Sequence, residues 1–455
     1  MQNSNFPLAR LPAVVIFIIA EYLSPGEKAN LSRVDKTLRR LFSTSQAWRE
    51  TTFVIKANNR KKCLQVVKTL ATRKAKRVQI DKGCCNDYIV KTVLCGLRDI
   101  DALTLPRVSP STLKLISKFT PGLRRLELGE VYPWHFSQFG KCKHASIWCL
   151  VLQNLVNLED LTIGPLAIGR GEKYFSEELK AALCCCGNLR RLVINGCDEL
   201  PIKWISAVFI SNPNLSSIGL CFIRHLSLEK IIPDQNAVFE NSCPSSLESL
   251  DISGSLRGGR FLSWTLEWLP KLSTLTSLNL SQTMDERLLG LVLQNLTALA
   301  NLRQLNLTFS SVKDNMFVAR HPKLSWLELK GCFQLSSAGI NLIASSYGMS
   351  LKYLGLCNCH RMTDDSMKFL STRFPSLRVL DLSNCVAITD LFLEELYFPS
   401  STLIQPALTK LLLRGCNKIS LNMVGRVREK LANQLAIDIT AVPEGDLWFS
   451  SSLIN

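Results

Sequence analysis

Two clusters of cysteine and histidine are the residues of this sequence best suited to bind a metal. Cys357, Cys359 and His360 lie close together, and Cys184–Cys186 are consecutive. A structural zinc site usually combines two ligand pairs, such as C-x-x-C with H-x-x-x-H. Neither cluster has a second pair of this kind. We therefore expect no bound metal.

Motifs for covalent or phosphoryl-transfer catalysis are also missing from the sequence. It has no G-x-x-x-x-G-K phosphate loop, no H-E-x-x-H zinc helix and no G-x-S-x-G nucleophile turn. The 5 histidines are scattered along the chain. We expect a protein that is not an enzyme and has no cofactor, so that its function depends on binding.

Composition indicates a folded chain in a reducing compartment. The 455 residues are 47% hydrophobic and 20% charged, as in globular proteins. The 17 cysteines are odd in number and belong to a long chain, not to a small cystine scaffold. The apolar run Val14–Ala20 lies between Pro12 and Glu21 and is too short for a membrane span. A cytoplasmic or nuclear protein is predicted, and a secreted one with disulfides is the less favoured reading.

Positive charge is concentrated in one segment. Residues Lys56–Lys82 contain ten Lys or Arg and one acid, Asp81, out of a formal net charge of +17. A solvated helix face is the usual explanation. An acidic partner, nucleic acid or a nuclear import signal at Arg73–Arg77 are alternatives. Aromatic residues are not interleaved with the charges, so the pattern does not support nucleic acid as the partner.

The N-terminal residues 11–48 are predicted to form three short helices. Val15, Ile16, Ile19 and Leu23 have the spacing of an amphipathic helix. Ser24-Pro-Gly-Glu27 is a capping box that starts a second helix, and a third runs from about Lys36 to Phe42. Three short helices form only a small core, so we expect apolar surface to remain for a partner.

A Leu-x-x-Leu-x-Leu pattern recurs through most of the remaining chain. Leu324 and Leu351 start copies 27 residues apart, a period typical of leucine-rich repeats. Clear copies begin at Leu123, Leu158, Leu189, Leu215, Leu247, Leu275, Leu302, Leu324, Leu351, Leu377 and Leu408, and degenerate ones near Glu50, Ala75, Ile100 and Ala432. Each unit is expected to form a short strand, a turn and a returning helix, and the units to stack into a solenoid.

The turn after each strand carries a further signal. A cysteine stands eight residues after the first leucine of five repeats, and Thr-Asp pairs follow two of these turns as helix N-caps. The cysteines are Cys197, Cys332, Cys359, Cys385 and Cys416. This pattern resembles the cysteine-containing leucine-rich repeat. The resemblance implies an α/β solenoid with parallel strands on its concave face and helices on its convex face.

Residues 11–48 resemble an F-box, a module common in front of such repeats. The matching residues are Leu11, Pro12, Val15, Ile19, Leu23, Glu27, Ser32, Val34, Lys36, Leu41 and Trp48. The resemblance implies binding to the Skp adaptor of a cullin–RING ubiquitin ligase. The residues expected to contact the adaptor are Leu11, Pro12, Val15, Ile16, Ile19, Leu23, Val34, Leu38 and Trp48. The corresponding domains are a tail (1–7), the F-box (8–49), the solenoid (50–440) and a C-terminal tail (441–455).

The two resemblances imply a substrate-recognition subunit of a Skp–cullin–F-box ubiquitin ligase, itself non-catalytic. The adaptor would bind the chain at its F-box, and a protein substrate bound to the repeats would be ubiquitinated and directed to the proteasome. The alternative is a leucine-rich-repeat interaction scaffold outside any ligase, with the helices only as a cap. No membrane partner is expected.

Substrate binding is predicted on the concave face. Alternation along a strand places the third, fifth and seventh residues of each repeat there. Trp326 and Tyr353 fall on adjacent strands, and neighbouring aromatics beside charges are typical of binding hot spots. The candidates are Trp326, Glu328, Lys330, Tyr353, Arg125, Arg191 and Arg414. Loop insertions around Val131–Lys143 and Ile231–Cys243 could add contacts.

Overall fold

The computed structural model describes residues 8, 11–57, 59–131, 145–164, 173–196, 199–223, 225–227, 246–255, 272–367, 370–398, 408–431 and 435–439. They divide into two compact units, Met1–Leu215 and Ser216–Asn455. Apart from Val131, the two predicted insertions lie outside the described residues, as do Cys197 and the predicted C-terminal tail.

The three predicted N-terminal helices are confirmed. They are α1 (Ala13–Glu21), α2 (Pro25–Val34) and α3 (Lys36–Phe42), followed by a 3-10 turn at Ser45–Trp48. The capping box before α2 is formed: the Ser24 N–H donates to Glu27 Oε2 at 2.7 Å, and the Glu27 N–H donates to Ser24 Oγ at 3.3 Å. The helices, which we call the helical segment (residues 11–48), lead directly into the first strand.

The rest of the first unit alternates strands with helices. Strands β1 to β6 pair in parallel in chain order. They are β1 (Thr52–Ile55), β2 (Arg77–Ile80), β3 (Ala102–Val108), β4 (Arg125–Val131), β5 (Asp160–Ile163) and β6 (Arg191–Asn195), with β7 (Glu199–Pro201) after them. The helices are α4 (Arg60–Thr72), α5 (Asp87–Gly96), α6 (Pro110–Phe119), α7 (Ala145–Asn154), α8 (Lys173–Cys184) and α9 (Ile202–Ser211). Strand Thr52–Ile55 is the one predicted to begin the repeats.

The second unit has the same plan with shorter strands. Its strands are β8 (Ser217–Cys221), β9 (His225–Ser227), β10 (Ser249–Asp251), β11 (Ser277–Asn279), β12 (Gln304–Asn306), β13 (Trp326–Glu328), β14 (Tyr353–Gly355), β15 (Val379–Asp381), β16 (Lys410–Leu412) and β17 (Ala436–Asp438). Apart from β9, each pairs in parallel with the next. The helices are α10 (Glu286–Gln294), α11 (Ser337–Tyr347), α12 (Asp364–Met367), α13 (Leu370–Arg373), α14 (Asp390–Tyr397) and α15 (Leu421–Lys430).

Stacked leucines form the core of both units. In the second unit the middle residues of neighbouring strands are in register, as with Leu327 opposite Leu354 and Leu354 opposite Leu380, and all three are fully buried. Each such side chain contributes about 1.5–3 kcal/mol by leaving water. Because every leucine packs on the repeats before and after it, no repeat is stable alone. The predicted α/β leucine-rich-repeat fold is confirmed.

The turn cysteines bind backbone groups wherever the structure describes them. The thiols of Cys332, Cys359, Cys385 and Cys416 each donate to the carbonyl of the preceding repeat's third leucine, at 3.1–3.2 Å. Burial raises the pKa of the Cys332 thiol to about 12, so it stays protonated and remains a donor. These bonds link successive repeats.

An acid in the first turn of one helix also bonds to the next repeat. A helix is predicted over Ser366–Phe374; the described residues in this range belong to α12 and α13, and residues 368–369 lie outside the described residues. The carboxylate of Asp364 accepts two bonds from the next repeat, from the Thr389 N–H at 2.8 Å and the Thr389 hydroxyl at 2.7 Å. Thr389 in turn caps α14 by accepting from the Leu391 N–H. Asp364, in the first turn of α12, therefore stabilises both α12 and α14.

Within the described ranges no helix has the length and apolar character needed to cross a bilayer. The same residues contain no group of three or more His, Cys, Asp or Glu arranged to hold a metal ion.

Candidate interaction surfaces

Helix α1 exposes a stripe of large apolar side chains. Val14, Ile18 and Tyr22 follow one another at intervals of four residues, with exposed fractions of 66%, 51% and 85%. This spacing places them on one side of the helix. Ile16 and Ala20 are buried on the opposite side. Exposed apolar surface of this kind is typical of an interaction site.

Trp48 is the centre of the helical segment's interior. It is 1% exposed, and its indole N–H donates to the Phe42 carbonyl at 2.7 Å. Its ring packs against Phe53 of β1, with centroids 5.5 Å apart. The guanidinium of Arg73, just after α4, lies 4.4 Å from the ring centroid, within cation–π range. One side chain thus joins the helical segment to the first repeat, which accords with the absence of a linker in the sequence.

Lys28 of α2 is buried in the same region. Its ammonium donates to the Ala47 carbonyl at 3.1 Å and to the Thr51 hydroxyl, and lies 5.8 Å from the Trp48 centroid. Burial lowers the pKa of Lys28, and the charge of Glu21 partly opposes this shift. The buried Lys28 ammonium therefore connects α2 to the end of the helical segment by hydrogen bonds. No local sequence pattern indicates this burial, since a lysine in a capped helix is normally exposed.

The nine predicted adaptor contacts occupy different environments. Ile16, Leu38 and Trp48 are buried, so they hold the helices together and offer little surface to a partner. Leu11, Ile19 and Leu23 are half-buried, and Pro12, Val15 and Val34 are exposed. A contact role stays a prediction for these six. Sequence reasoning missed Val14, Ile18 and Tyr22, whose four-residue spacing was the available signal.

Trp326 and Tyr353 form the centre of a cluster on the strand face of the second unit. They lie opposite each other on β13 and β14, and their rings stack with centroids 5.0 Å apart and planes 14° from parallel. The Tyr353 hydroxyl donates to Glu328 Oε2 at 2.8 Å, and the Lys330 N–H donates to Glu328 Oε1 at 3.1 Å. We call Trp326, Glu328 and Tyr353 the strand-face cluster. The predicted neighbourhood is confirmed, and the Glu328 carboxylate proves to be part of it.

Gly355 provides the space for the Glu328 carboxylate. The two residues are in register on adjacent strands, and a Cβ atom on Gly355 would lie 2.1 Å from Glu328 Oε1. Burial raises the pKa of Glu328 to about 7; the Tyr353 hydrogen bond acts against this shift, and the nearby charge of Asp381 adds to it. A carboxyl group that titrates near neutral pH therefore lies beside two stacked aromatic rings.

The other candidate residues make different contacts. Arg125 and Arg191 belong to the first unit, where Arg191 forms an ion pair with Asp160 at 3.1 Å. Arg414 follows β16, two strands beyond Tyr353, and pairs with Asp438 of β17. The Lys330 ammonium lies 5.9 Å from the Phe309 ring centroid. Three of the seven predicted residues form a compact cluster, and a substrate-binding role stays a prediction for all seven.

A column of acids and amides next to the cluster has a structural explanation. Asp251, Asn279, Asn306 and Asp381 occupy the fifth position of their repeats, as Glu328 does. In each, a side-chain oxygen accepts from the N–H two residues later, at 2.8–3.0 Å. Such bonds are Asx turns that end the strand. Glu328 makes the same bond with a longer side chain, and so reaches Tyr353 as well.

Much of the Arg73–Arg77 stretch is engaged with the rest of the chain. Arg73 packs on Trp48, and Arg77 forms an ion pair with Glu50. The Lys76 ammonium donates to the Asp99 carbonyl at 2.7 Å and lies 3.7 Å from an Asp101 carboxylate oxygen. These contacts favour a structural role for the stretch over that of an import signal.

Comparison with known protein families gives no match. Among solved structures, the chain is similar to a chain in the yeast Rad7–Elc1 complex, at 16% identity and a TM-score of 0.47, over 93% of this chain and 92% of that one. It is also similar to a chain of the TLR13–ssRNA13 complex, at 15% identity and a TM-score of 0.35, over 87% and 62%. Both likenesses are distant. The leucine-rich-repeat fold is evident from the strand pairing and buried leucines of the chain itself.

Proposed function

We propose that the chain is a non-catalytic substrate-recognition subunit of a Skp–cullin–F-box ubiquitin ligase. The observation that carries the proposal is the exposed apolar stripe of α1, on a segment whose sequence resembles an F-box. Val14, Ile18 and Tyr22 offer a hydrophobic surface, while Trp48 holds the segment against the first repeat. The adaptor binds α1, and the repeats hold the substrate.

Catalysis in such an assembly comes from proximity. The ubiquitin-conjugating enzyme supplies the chemistry, and this chain holds the substrate lysine near it. The direct junction between Trp48 and β1 suits this role, because a flexible linker would lower the effective concentration of the substrate at the enzyme. A reducing cytoplasmic or nuclear location belongs to the same proposal.

The strand-face cluster is the proposed substrate contact. Stacked Trp326 and Tyr353 supply apolar area at low entropic cost, and Glu328 supplies a polar anchor. A substrate with a basic or hydrogen-bond-donating side chain beside an apolar one fits this arrangement. Trp326→Ala is expected to lower substrate recovery in proximity labelling and to leave adaptor binding unchanged.

The adaptor contact is tested by co-purification of the Skp adaptor with full-length variants. Ile18→Asp places a charge in the apolar stripe, and we expect recovery of the adaptor to fall at least about tenfold. Val156→Asp is the matched control, because Val156 is 59% exposed and lies away from α1. Equal recovery with both variants, or no recovery with the wild type, would contradict the proposal. Circular dichroism verifies that both variants fold.

A second candidate, an interaction scaffold outside any ligase, is favoured by the burial of Ile16, Leu38 and Trp48. Of these residues, Trp48 packs on Phe53 of the first repeat, as a cap would. Under this alternative the wild-type chain binds a protein partner at the strand-face cluster, and neither the Skp adaptor nor a cullin occurs in the complex. The co-purification therefore separates the two candidates.

A further inference from the structure

The helix side of the first unit has an apolar groove between α4 and α5. It encloses about 490 Å³, and Leu64, Val67, Ala71 and Tyr88 provide apolar lining. Leu64 and Tyr88 are 40% and 43% exposed, so the groove is open to solvent. The volume suits a few large side chains.

Close packing of the two helices forms one part of this groove. A Cβ atom on Gly96 would lie 2.2 Å from Val67 Cγ1, so α4 and α5 approach more closely there than a larger residue would allow. The guanidinium of Arg60 lies 5.5 Å from the Tyr88 centroid, which fixes this ring beside the opening. The apolar lining of the groove is therefore already in place in the folded chain.

The groove is positively charged at its edges. Arg60, Lys68 and Lys91 line it, and no acidic residue is among its described lining residues. Lys61 and Lys62 add charge in the first turn of α4. An apolar channel flanked by cations is complementary to a segment that carries acidic groups on both sides of apolar ones.

We propose that the α4–α5 groove binds an acidic segment of a partner protein, with one or two large apolar side chains inserted between the helices. The apolar lining favours a protein over a nucleic acid, since a phosphate backbone would leave the exposed Leu64 and Ala71 in contact with water. Arg60 already lies over one face of Tyr88, so at most one face of this ring is free to stack on a base. This surface is separate from the α1 stripe and from the strand-face cluster.

The test is a selection of random-sequence displayed peptides on the intact chain, followed by fluorescence anisotropy of the enriched peptides. We expect acidic peptides with aromatic or aliphatic residues, whose affinity falls at least about tenfold in Leu64→Asp and in Lys68→Glu/Lys91→Glu. Lys114→Glu on α6 is the matched charge control and is expected to change affinity by less than about twofold.

Exposed Cys95 lines the groove and reports the location of binding. A bound peptide is expected to slow alkylation of Cys95 and not of exposed Cys185, followed for each by mass spectrometry. A selection without acidic peptides, unchanged binding to Leu64→Asp, or an unprotected Cys95 would each overturn the proposal. A labelled single-stranded oligonucleotide is tested in parallel. If it displaces the peptides and still binds Leu64→Asp, the groove is a nucleic-acid site and the proposal fails.

Discussion

The hydroxyl of Tyr353 donates a 2.8 Å hydrogen bond to Glu328 across two adjacent parallel strands. The bond connects the aromatic stack to a carboxyl group whose pKa is raised to about 7. Asp381 and Lys330 are the other charged groups that affect this pKa, in opposite directions. The strand face therefore changes charge near neutral pH at its aromatic centre.

Stability of the second unit should fall as the pH rises through this pKa. Burial raises the pKa of Glu328 above its value in the unfolded chain, so between about pH 4.5 and 7 Glu328 is protonated in the folded state and ionised in the unfolded state. The stabilisation from this proton is complete below about pH 4.5 and is lost as the pH rises through about 7. We expect the free energy of unfolding to decrease by about 2–3 kcal/mol between pH 5 and 8. Glu328→Gln should remove most of this slope in urea denaturation. An identical slope in the variant would contradict the assignment to Glu328.

Gly355→Ala should destabilise the second unit through its effect on Glu328. The new Cβ atom would occupy the position of the carboxylate, so Glu328 must move at a cost of about 1–3 kcal/mol. In a Glu328→Ala background the same substitution should cost less than about 1 kcal/mol, because the obstacle is gone. Additive effects in the double-mutant cycle would show that another contact requires the glycine.

Trp48→Ala should destabilise the first unit by about 3–5 kcal/mol, since it removes a fully buried ring. Trp48→Phe keeps much of the apolar volume but leaves the Phe42 carbonyl without the indole N–H, at a cost of about 1–3 kcal/mol. Arg73→Ala should cost less, about 1 kcal/mol, and should have little effect in the Trp48→Ala background. Hydrogen exchange of β1 and the helical segment measures these effects. Unchanged exchange in Trp48→Ala would show that Trp48 does not join them.

The turn thiols should resist alkylation in the native protein. Cys332, Cys359, Cys385 and Cys416 are buried and donate to backbone carbonyls, whereas Cys95 and Cys185 are exposed. We expect rapid iodoacetamide labelling of the exposed pair and labelling of the turn thiols only after unfolding. Cys385→Ala should cost about 1 kcal/mol, because the Leu356 carbonyl loses one of its two donors and keeps the Cys359 N–H. Fast native labelling of Cys385 would contradict the bonded geometry.

The sequence by itself determined the repeat fold, because the leucine period fixes which side chains face the core and hence where strands and turns lie. The three N-terminal helices followed from a capping box and from apolar spacing, both of which act within a few residues. Alternation along strands also placed Trp326 beside Tyr353. These are local or periodic properties, which explains why sequence reasoning reached them.

The tertiary structure decided how individual side chains are used. Spacing shows that Val14 and Ile18 share one side of α1, but it does not show that this side is exposed while Ile16 is buried, because burial depends on how the helices pack on one another. The raised pKa of Glu328 arises from its burial and from the charge of Asp381, while the Tyr353 hydrogen bond opposes it, and both of these residues belong to other repeats. The α4–α5 groove likewise depends on the distance between two helices. Such properties depend on contacts between residues distant in the chain, and only the folded chain brings those residues together.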